Sequence, residues 1–336
     1  MATIGGRYPT LFDAARMSDP KGEIMPVVEI LKENNAMIED APFFACNNGR
    51  VNITTTRTGI PEGTWRELYK GVAQEKTETQ QVVDTCGLLA SYCDVDQKEA
   101  ELQRSGRAAY LTAINEGFIQ GLGNTIQYTA LYGNEKTSPA KFTGLAPRYG
   151  KISTDSKKIG YNVIDGGGAG ADNTSMWVVE WGKRSLHFIY PEGSKAGLQK
   201  EERGVIDVSD ADGKPYPVYR TYYSWDIGLS VVDWRYCVRI ANIDVSDLAS
   251  AGESSYSGAN VLNLLIKAFG RFPSMRMGTR VIYANETVIT ALNLLIANHK
   301  TAALKIEEIG GKPTTTFWGN PIKKVDSIGV DEARIV

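Results

Sequence analysis

The strongest constraint in the chain is a stretch of helical periodicity from Asp96 to Leu131. Leu111, Ile114, Phe118, Leu122 and Ile126 step by three, four, four and four residues, which puts them on one helical face. A helix over the whole stretch would be about 54 Å long at 1.5 Å per residue. Gly106, Gly117, Gly121 and Gly123 lie inside it, and each costs about 1 kcal/mol relative to alanine. Such a helix needs tertiary or intersubunit packing to hold it. Its glycines point to close approach of another backbone and mark Gly121–Gly123 as the place for a break.

What precedes it is unusual. Residues 1–24 have little periodicity and much Gly, Pro, Thr and Asp, and read as an extended arm, a kind of segment often ordered only by a partner. Pro26 fits a first-turn proline for a helix over about 26–38, with Val27, Ile30, Leu31 and Met37 or Ile38 as its apolar stripe. Asn47-Asn48-Gly49 signals a turn, and the β-branched run from Val51 to Thr58 predicts a strand. The segment from Gly59 to Gly63 breaks that strand, residues 64–75 fit no single element, and Glu75 to Asp94 alternates weakly as a returning strand.

Residues 50–94 therefore read as a long two-stranded excursion, and an isolated hairpin is at best marginally stable. Charges of both signs run along it: Arg57, Glu62, Arg66, Glu67, Lys70, Glu75, Lys76 and Glu78, with Trp65 among them. One reading is a solvated surface hairpin. The other is a ribbon that overlaps a neighbouring subunit, with charges setting register and Trp65 as a buried anchor.

After the helix, residues 133–147 are loop-like. A β-rich block follows over 160–240, with strands expected at Met176–Trp181, Leu186–Tyr190, Tyr216–Ser224 and Val231–Ile240. Helices resume over about 258–269 and 286–298, the second with Asn285 as N-cap. Thr314–Trp318 and Ile322–Val325 read as closing strands. A length of 336 residues fits about two domains.

Little in the chain suits catalysis or cofactor binding. The 37 Lys and Arg against 39 Asp and Glu leave a net charge of −2, which argues against a dominant nucleic-acid-binding face. The two histidines, His187 and His299, are far apart, and His187 alternates within an apolar strand as a structural residue. Cys46, Cys86, Cys93 and Cys237 form no C-x-x-C pair and read as reduced, partly buried thiols. The glycine-rich run from Asp165 to Ala171 lacks a following helix, so it reads as a strand connection and not as a phosphate loop. Asp94 and Asp96, like Asp207, Asp210 and Asp212, show no calcium-loop spacing and read as solvated turns. The aromatics over 176–236 suit either a sugar- or base-stacking platform or a β-sheet core. No catalytic residue, cofactor or metal ligand is assigned. No apolar run reaches membrane-spanning length, and no signal peptide is expected.

The order of extended arm, short helix, long ribbon, long helix, β-rich block and late helices resembles the Hong Kong 97-type major capsid proteins of tailed bacteriophages. The segment from Thr58 to Val72 resembles the ribbon loop of a capsid group found in short-tailed phages. Phe142–Tyr149 and Trp234–Ile243 are similar to that group too. The resemblance implies an α+β fold: residues 1–46 as N-terminal arm and short helix, 47–94 as extended β-ribbon loop, and 95–159 as a peripheral domain carrying the spine helix. Residues 160–336 would be mainly the axial domain, with segments returning to the peripheral one. It implies a non-enzymatic subunit, made in the host cytoplasm, that assembles with itself into pentamers and hexamers of an icosahedral head around double-stranded DNA. A separate scaffolding protein, a portal and a decoration protein are the further partners implied. Candidate intersubunit contacts are Arg57, Glu62, Trp65, Arg66, Glu67 and Lys70. The alternatives are an encapsulin-type compartment shell and a carbohydrate-active enzyme built on the aromatic block.

Overall fold

The computed structural model describes residues 35–59, 63–72, 74, 76, 78–103, 106–210, 212–250, 261–299, 304–309 and 312–336. The expected arm over 1–24, most of the helix expected over 26–38, and Glu62 lie outside them. In chain order come α1 (Ala36–Asp40), β1 (Phe43–Ala45), β2 (Val51–Gly59), β3 (Glu78–Asp96), α2 (Gln97–Glu101), α3 (Arg107–Tyr132) and β4 (Val163–Asp165). Then follow β5 (Asn173–Trp181), β6 (Leu186–Tyr190), β7 (Gln199–Ser209), β8 (Pro215–Val231), β9 (Cys237–Asp244) and α4 (Val245–Ser250). The chain closes with α5 (Val261–Gly270), β10 (Thr279–Ala284), α6 (Glu286–His299), β11 (Leu304–Ile309), β12 (Lys312–Phe317) and β13 (Asn320–Lys324). The described residues fall into two compact units, each built from separate stretches of chain, and β3, α3 and β8 each run from one unit into the other.

The larger unit comprises the described residues within 35–87, 126–196 and 226–336. Its centre is β5, buried at every position, as expected of a strand covered on both faces. β9 and β10 flank it antiparallel, with Val178 opposite Val238 on one side and Ile282 on the other. β4 runs parallel to β9, and β13 parallel to β10. α5 and α6 set Leu264, Leu265, Val288, Leu292 and Leu295 into one core with Met176, Val178, Ile240 and Ile282. Asn285 caps α6 as expected, its Oδ1 accepting the Thr287 N–H at 3.1 Å.

Two charged side chains buried in this unit are held by several partners each. The Arg239 guanidinium donates to Ser175 Oγ (3.1 Å), the Tyr149 carbonyl (3.1 Å) and Glu332 (2.9 Å), and lies over the Trp177 ring. Glu180, fully buried, accepts from Arg280 and from the Met277 and Gly278 N–H groups.

The smaller unit comprises 88–103, 106–125 and 197–225 apart from residue 211. β7 and β8 form an antiparallel hairpin from Gln199↔Ser224 to Ser209↔Pro215. The expected helical face is in place: Leu111, Ile114, Phe118 and Leu122 pack with Cys93, Val95, Tyr110 and Tyr223. The helix itself is two pieces, however, and the break lies between α2 and α3, not at Gly121–Gly123, which α3 passes straight through. Asp96 starts α2 by accepting the Lys98 and Glu99 N–H groups. Gly106, with φ of +90°, sits where only glycine is comfortable, just before α3 begins. Among the described residues a Cβ at Gly117 or Gly121 would meet nothing within 4 Å, so none of them makes the backbone approach expected there.

The strand expected over Val231–Ile240 is also two: β8 ends at Val231, a 3-10 turn spans Trp234–Tyr236, and β9 starts at Cys237. Among the described residues no helix is long and apolar enough to cross a membrane.

Candidate functional site

The ribbon expected over 50–94 is formed by β2 and β3, antiparallel from Val51↔Thr85 to Arg57↔Thr79 with an irregularity before Gly59. The turn read at Asn47-Asn48-Gly49 starts it. Gly49 has φ of +60°, and the Asn47 side chain clasps both the N–H (2.8 Å) and the carbonyl (2.7 Å) of Ile53.

The root of the ribbon is fixed by buried polar contacts. Asp84 on β3 is 1% exposed. It accepts from Ser230 Oγ (2.9 Å) and the Val231 N–H (3.2 Å), and pairs with Arg148 at 2.7 Å. Asn52 on β2 donates to the same Ser230 hydroxyl at 2.9 Å. Both strands are thus tied to one point on β8. Gly228 allows the approach, since a Cβ there would lie 2.4 Å from the Thr85 carbonyl oxygen. Beside this point Cys46 and Cys86 bring their sulfurs to 3.4 Å. Burial pushes both thiols above their ordinary range, Cys86 the further of the two.

The far end is the opposite. Residues 63–72 form no helix or strand beyond a turn, in which the Glu67 carbonyl accepts the Lys70 N–H at 3.2 Å and the two side chains form an ion pair. Trp65 is 99% exposed and Tyr69, at φ of +67°, is 100% exposed, with Leu68 at 86%. Trp65, Arg66, Glu67 and Lys70 come together on this tip. Arg57 lies back along the ribbon, where its backbone pairs with Thr79 and its side chain is outside the described residues; Glu62 is wholly outside them. Leu68 and Tyr69 join the tip although no periodicity singled them out. The available signal was three large apolar residues within five positions of a segment that fits no element.

The other candidates are absorbed by the fold. The glycine-rich run leads into β5, with Asp165 Oδ1 held by the Gly167 N–H and Asn242 Nδ2. Asp94 takes a two-point contact from Arg220 at 2.6 Å, Asp96 caps α2, and Asp210 accepts the Asp212 and Lys214 N–H groups in a turn. Asp207 lies on β7 opposite Pro217. Among the described residues no group of three or more His, Cys, Asp or Glu could hold a metal ion. His187 is a buried strand residue, edge-on to Phe44, with Nδ1 at 3.4 Å from the Gly182 carbonyl. Trp177, Trp181, Tyr223, Trp225 and Tyr236 are core residues and form no stacking platform.

The family model for the major capsid protein GP7 matches residues 19–336. Among solved structures, the chain is similar to that of bacteriophage Epsilon15, with 33% identity and a TM-score of 0.77 over 100% of this chain and 99% of that one. It shares its fold with the capsid protein of bacteriophage JBD30 at 10% identity and a TM-score of 0.51, covering 95% and 98% of the two chains. An encapsulin from Synechococcus elongatus PCC 7942 superimposes with a TM-score of 0.43 at 8% identity, over 72% of this chain and 97% of that one. No curated protein matches the chain in sequence.

Proposed function

The chain belongs to the major capsid protein GP7 family, a component of phage virions with the Hong Kong 97-type fold, and from that premise we propose that residues 63–72 clamp a second copy of the same chain in the shell. The observation that carries this reading is the bare tip. Large apolar side chains collected in one exposed segment mark an interaction site. A ribbon rooted by buried contacts presents Trp65, Leu68 and Tyr69, and no described residue covers them. An indole buries about 200 Å², so covering Trp65 would contribute roughly 5 kcal/mol at about 25 cal/mol per Å², before the ordering of the tip is subtracted. Arg66, Glu67 and Lys70 supply charges of both signs, as a self-complementary contact requires.

In this reading the subunits form pentamers and hexamers of an icosahedral head around double-stranded DNA. Residues 1–46 are the N-terminal arm, 47–94 the extended loop and 95–159 the peripheral domain, and 160–336 are mainly axial, with segments returning to the peripheral domain. Each contact is modest, and closure of the shell multiplies it through effective concentration. A separate scaffolding protein, a portal and a decoration protein complete the partner set. Likeness to a phage capsid protein along the whole chain favours a virion shell over an encapsulin-type compartment. Burial of Trp177, Trp181, Tyr223, Trp225 and Tyr236 takes most of the aromatic block out of reach of a sugar and disfavours a sugar-active enzyme.

The test separates folding from assembly. Trp65→Ala and Arg66→Glu subunits should keep the wild-type circular dichroism and melting curve, yet give few closed particles by electron microscopy. Normal particle yields from both variants would overturn the clamp.

A further inference from the structure

Of the four cysteines, Cys93 and Cys237 are sealed in the core, at 2% and 0% exposure. Cys46 and Cys86 are arranged differently. Cys46 follows β1 and is anchored by its own N–H to the Tyr190 carbonyl at 2.9 Å. Cys86 lies on β3, two residues past Asp84, and is partly exposed. Their sulfurs are 3.4 Å apart, within thiol hydrogen-bond distance, although 40 residues separate them in the chain. A disulfide requires about 2.0 Å between sulfurs. The gap to close is therefore little more than 1 Å, within reach of side-chain rotation.

We propose that Cys46 and Cys86 are a redox staple: reduced while the subunit is made and assembled, and joined as a disulfide once the particle meets an oxidising medium. Cytosolic thiols are kept reduced, whereas surroundings outside the cell allow disulfides to persist. The oxidant is a small-molecule disulfide. The Cys86 thiolate, the more accessible of the two, attacks one of its sulfurs to form a mixed disulfide and expels the first thiolate leaving group. Cys46, as its thiolate, then attacks Cys86 Sγ and expels the second. The two protons given up by the cysteines end on the two released thiols. The cysteine pair loses two electrons and the oxidant gains them.

The link would close a covalent loop around residues 47–85, which holds β2, the tip and the paired half of β3. Before oxidation the ribbon is held by Asp84, Asn52 and packing. After it, the ribbon cannot leave its root without breaking a bond. Burial raises both thiols, with the Asp84 carboxylate adding to it at each and Asp226 at Cys86, which slows the reaction and suits a bond made late. The staple is independent of what the tip grips.

The experiment uses assembled wild-type particles, incubated with oxidised glutathione, then denatured and alkylated. Two of the four thiols should become protected, and digestion should yield one linked peptide pair containing Cys46 and Cys86. The thermal midpoint of the particles should rise by roughly 5 °C, fall back with dithiothreitol, and stay unmoved in Cys86→Ser particles. Four alkylatable thiols after prolonged oxidation would overturn the proposal. So would a link through Cys93 or Cys237, a glutathione adduct on Cys86 that never resolves, or a linked pair with an unchanged midpoint.

Discussion

The two ends of one ribbon are built on opposite principles. At the root, β2 and β3 meet β8 through a buried carboxylate, a buried amide, a hydroxyl and a glycine without room for a Cβ. Every partner is supplied by the same chain. At the tip, Trp65, Leu68 and Tyr69 stand almost wholly exposed, with one surface ion pair between Glu67 and Lys70. The difference assigns the ends to different free energies. The root stabilises the subunit, and its loss should be read in unfolding. The tip adds little to the subunit, because exposed side chains far from buried features usually change stability by less than about 0.5 kcal/mol. Its loss should be read in assembly.

The largest effect that tests this division is expected from Asp84→Ala. The substitution leaves Arg148 without its carboxylate and strands the Ser230 hydroxyl and Val231 N–H in a site with little water access. Removing one partner of a buried ion pair costs about 3–5 kcal/mol, so the isolated subunit should melt far below the wild type or be recovered insoluble. An unchanged melting temperature would place the anchor of the ribbon somewhere other than its root. Gly228→Ala is the next step down. Its Cβ would press on the Thr85 carbonyl oxygen at 2.4 Å and on Cys86 Cα at 3.1 Å, and overpacking of this kind costs about 1–3 kcal/mol. Thermal unfolding of the subunit should drop accordingly, and amide exchange should rise first around Thr85. Protection lost at the tip and kept at the root would reverse the comparison.

The parts of this architecture that could be read in the sequence are those with local causes. The β-branched run from Val51 to Thr58 and the turn at Asn47–Gly49 gave β2 its place. The face of Leu111, Ile114, Phe118 and Leu122 gave α3 its packing side. The gap between α2 and α3 was missed because the apolar spacing begins only at Leu111. What separates the helices is the left-handed backbone of Gly106, not a change in pattern. β7 was missed because Lys200, Glu201, Glu202 and Arg203 are exposed along consecutive positions, so no alternation marks it as a strand.

The root was invisible for another reason. Asp84 and Ser230 are 146 residues apart, and a buried pair at that distance leaves no spacing to read. Trp65 was legible as a large aromatic in a charged segment without an element, and its exposure fits that reading. No described residue covers it, so no pattern among them can name the contact.

The finest distinction between the ends concerns acid. His187 on β6 is buried near Asp84, with the Lys183 ammonium and the Gly182 carbonyl as its other electrostatic neighbours. Desolvation is the largest influence and holds the imidazole below its ordinary value of 6.5, the carbonyl and the Asp84 carboxylate opposing it and Lys183 adding to it. The unfolded chain therefore takes up a proton near pH 6.5, while the folded one does so only at lower pH. Between those points the unfolded state binds more protons, so stability falls as the pH falls. Above pH 6.5 both states are neutral and the site adds no slope.

His187→Gln removes the titration and keeps a polar group able to meet the Gly182 carbonyl. Its melting temperature should decline less steeply than that of the wild type between pH 7 and pH 5.5. Trp65→Ala should follow the wild-type slope throughout, because the tip holds nothing that reports on the root. Parallel curves for wild type and His187→Gln would show that the imidazole takes up its proton over the same pH range in the folded and unfolded states. The acid response would then have to come from carboxylates elsewhere in the subunit.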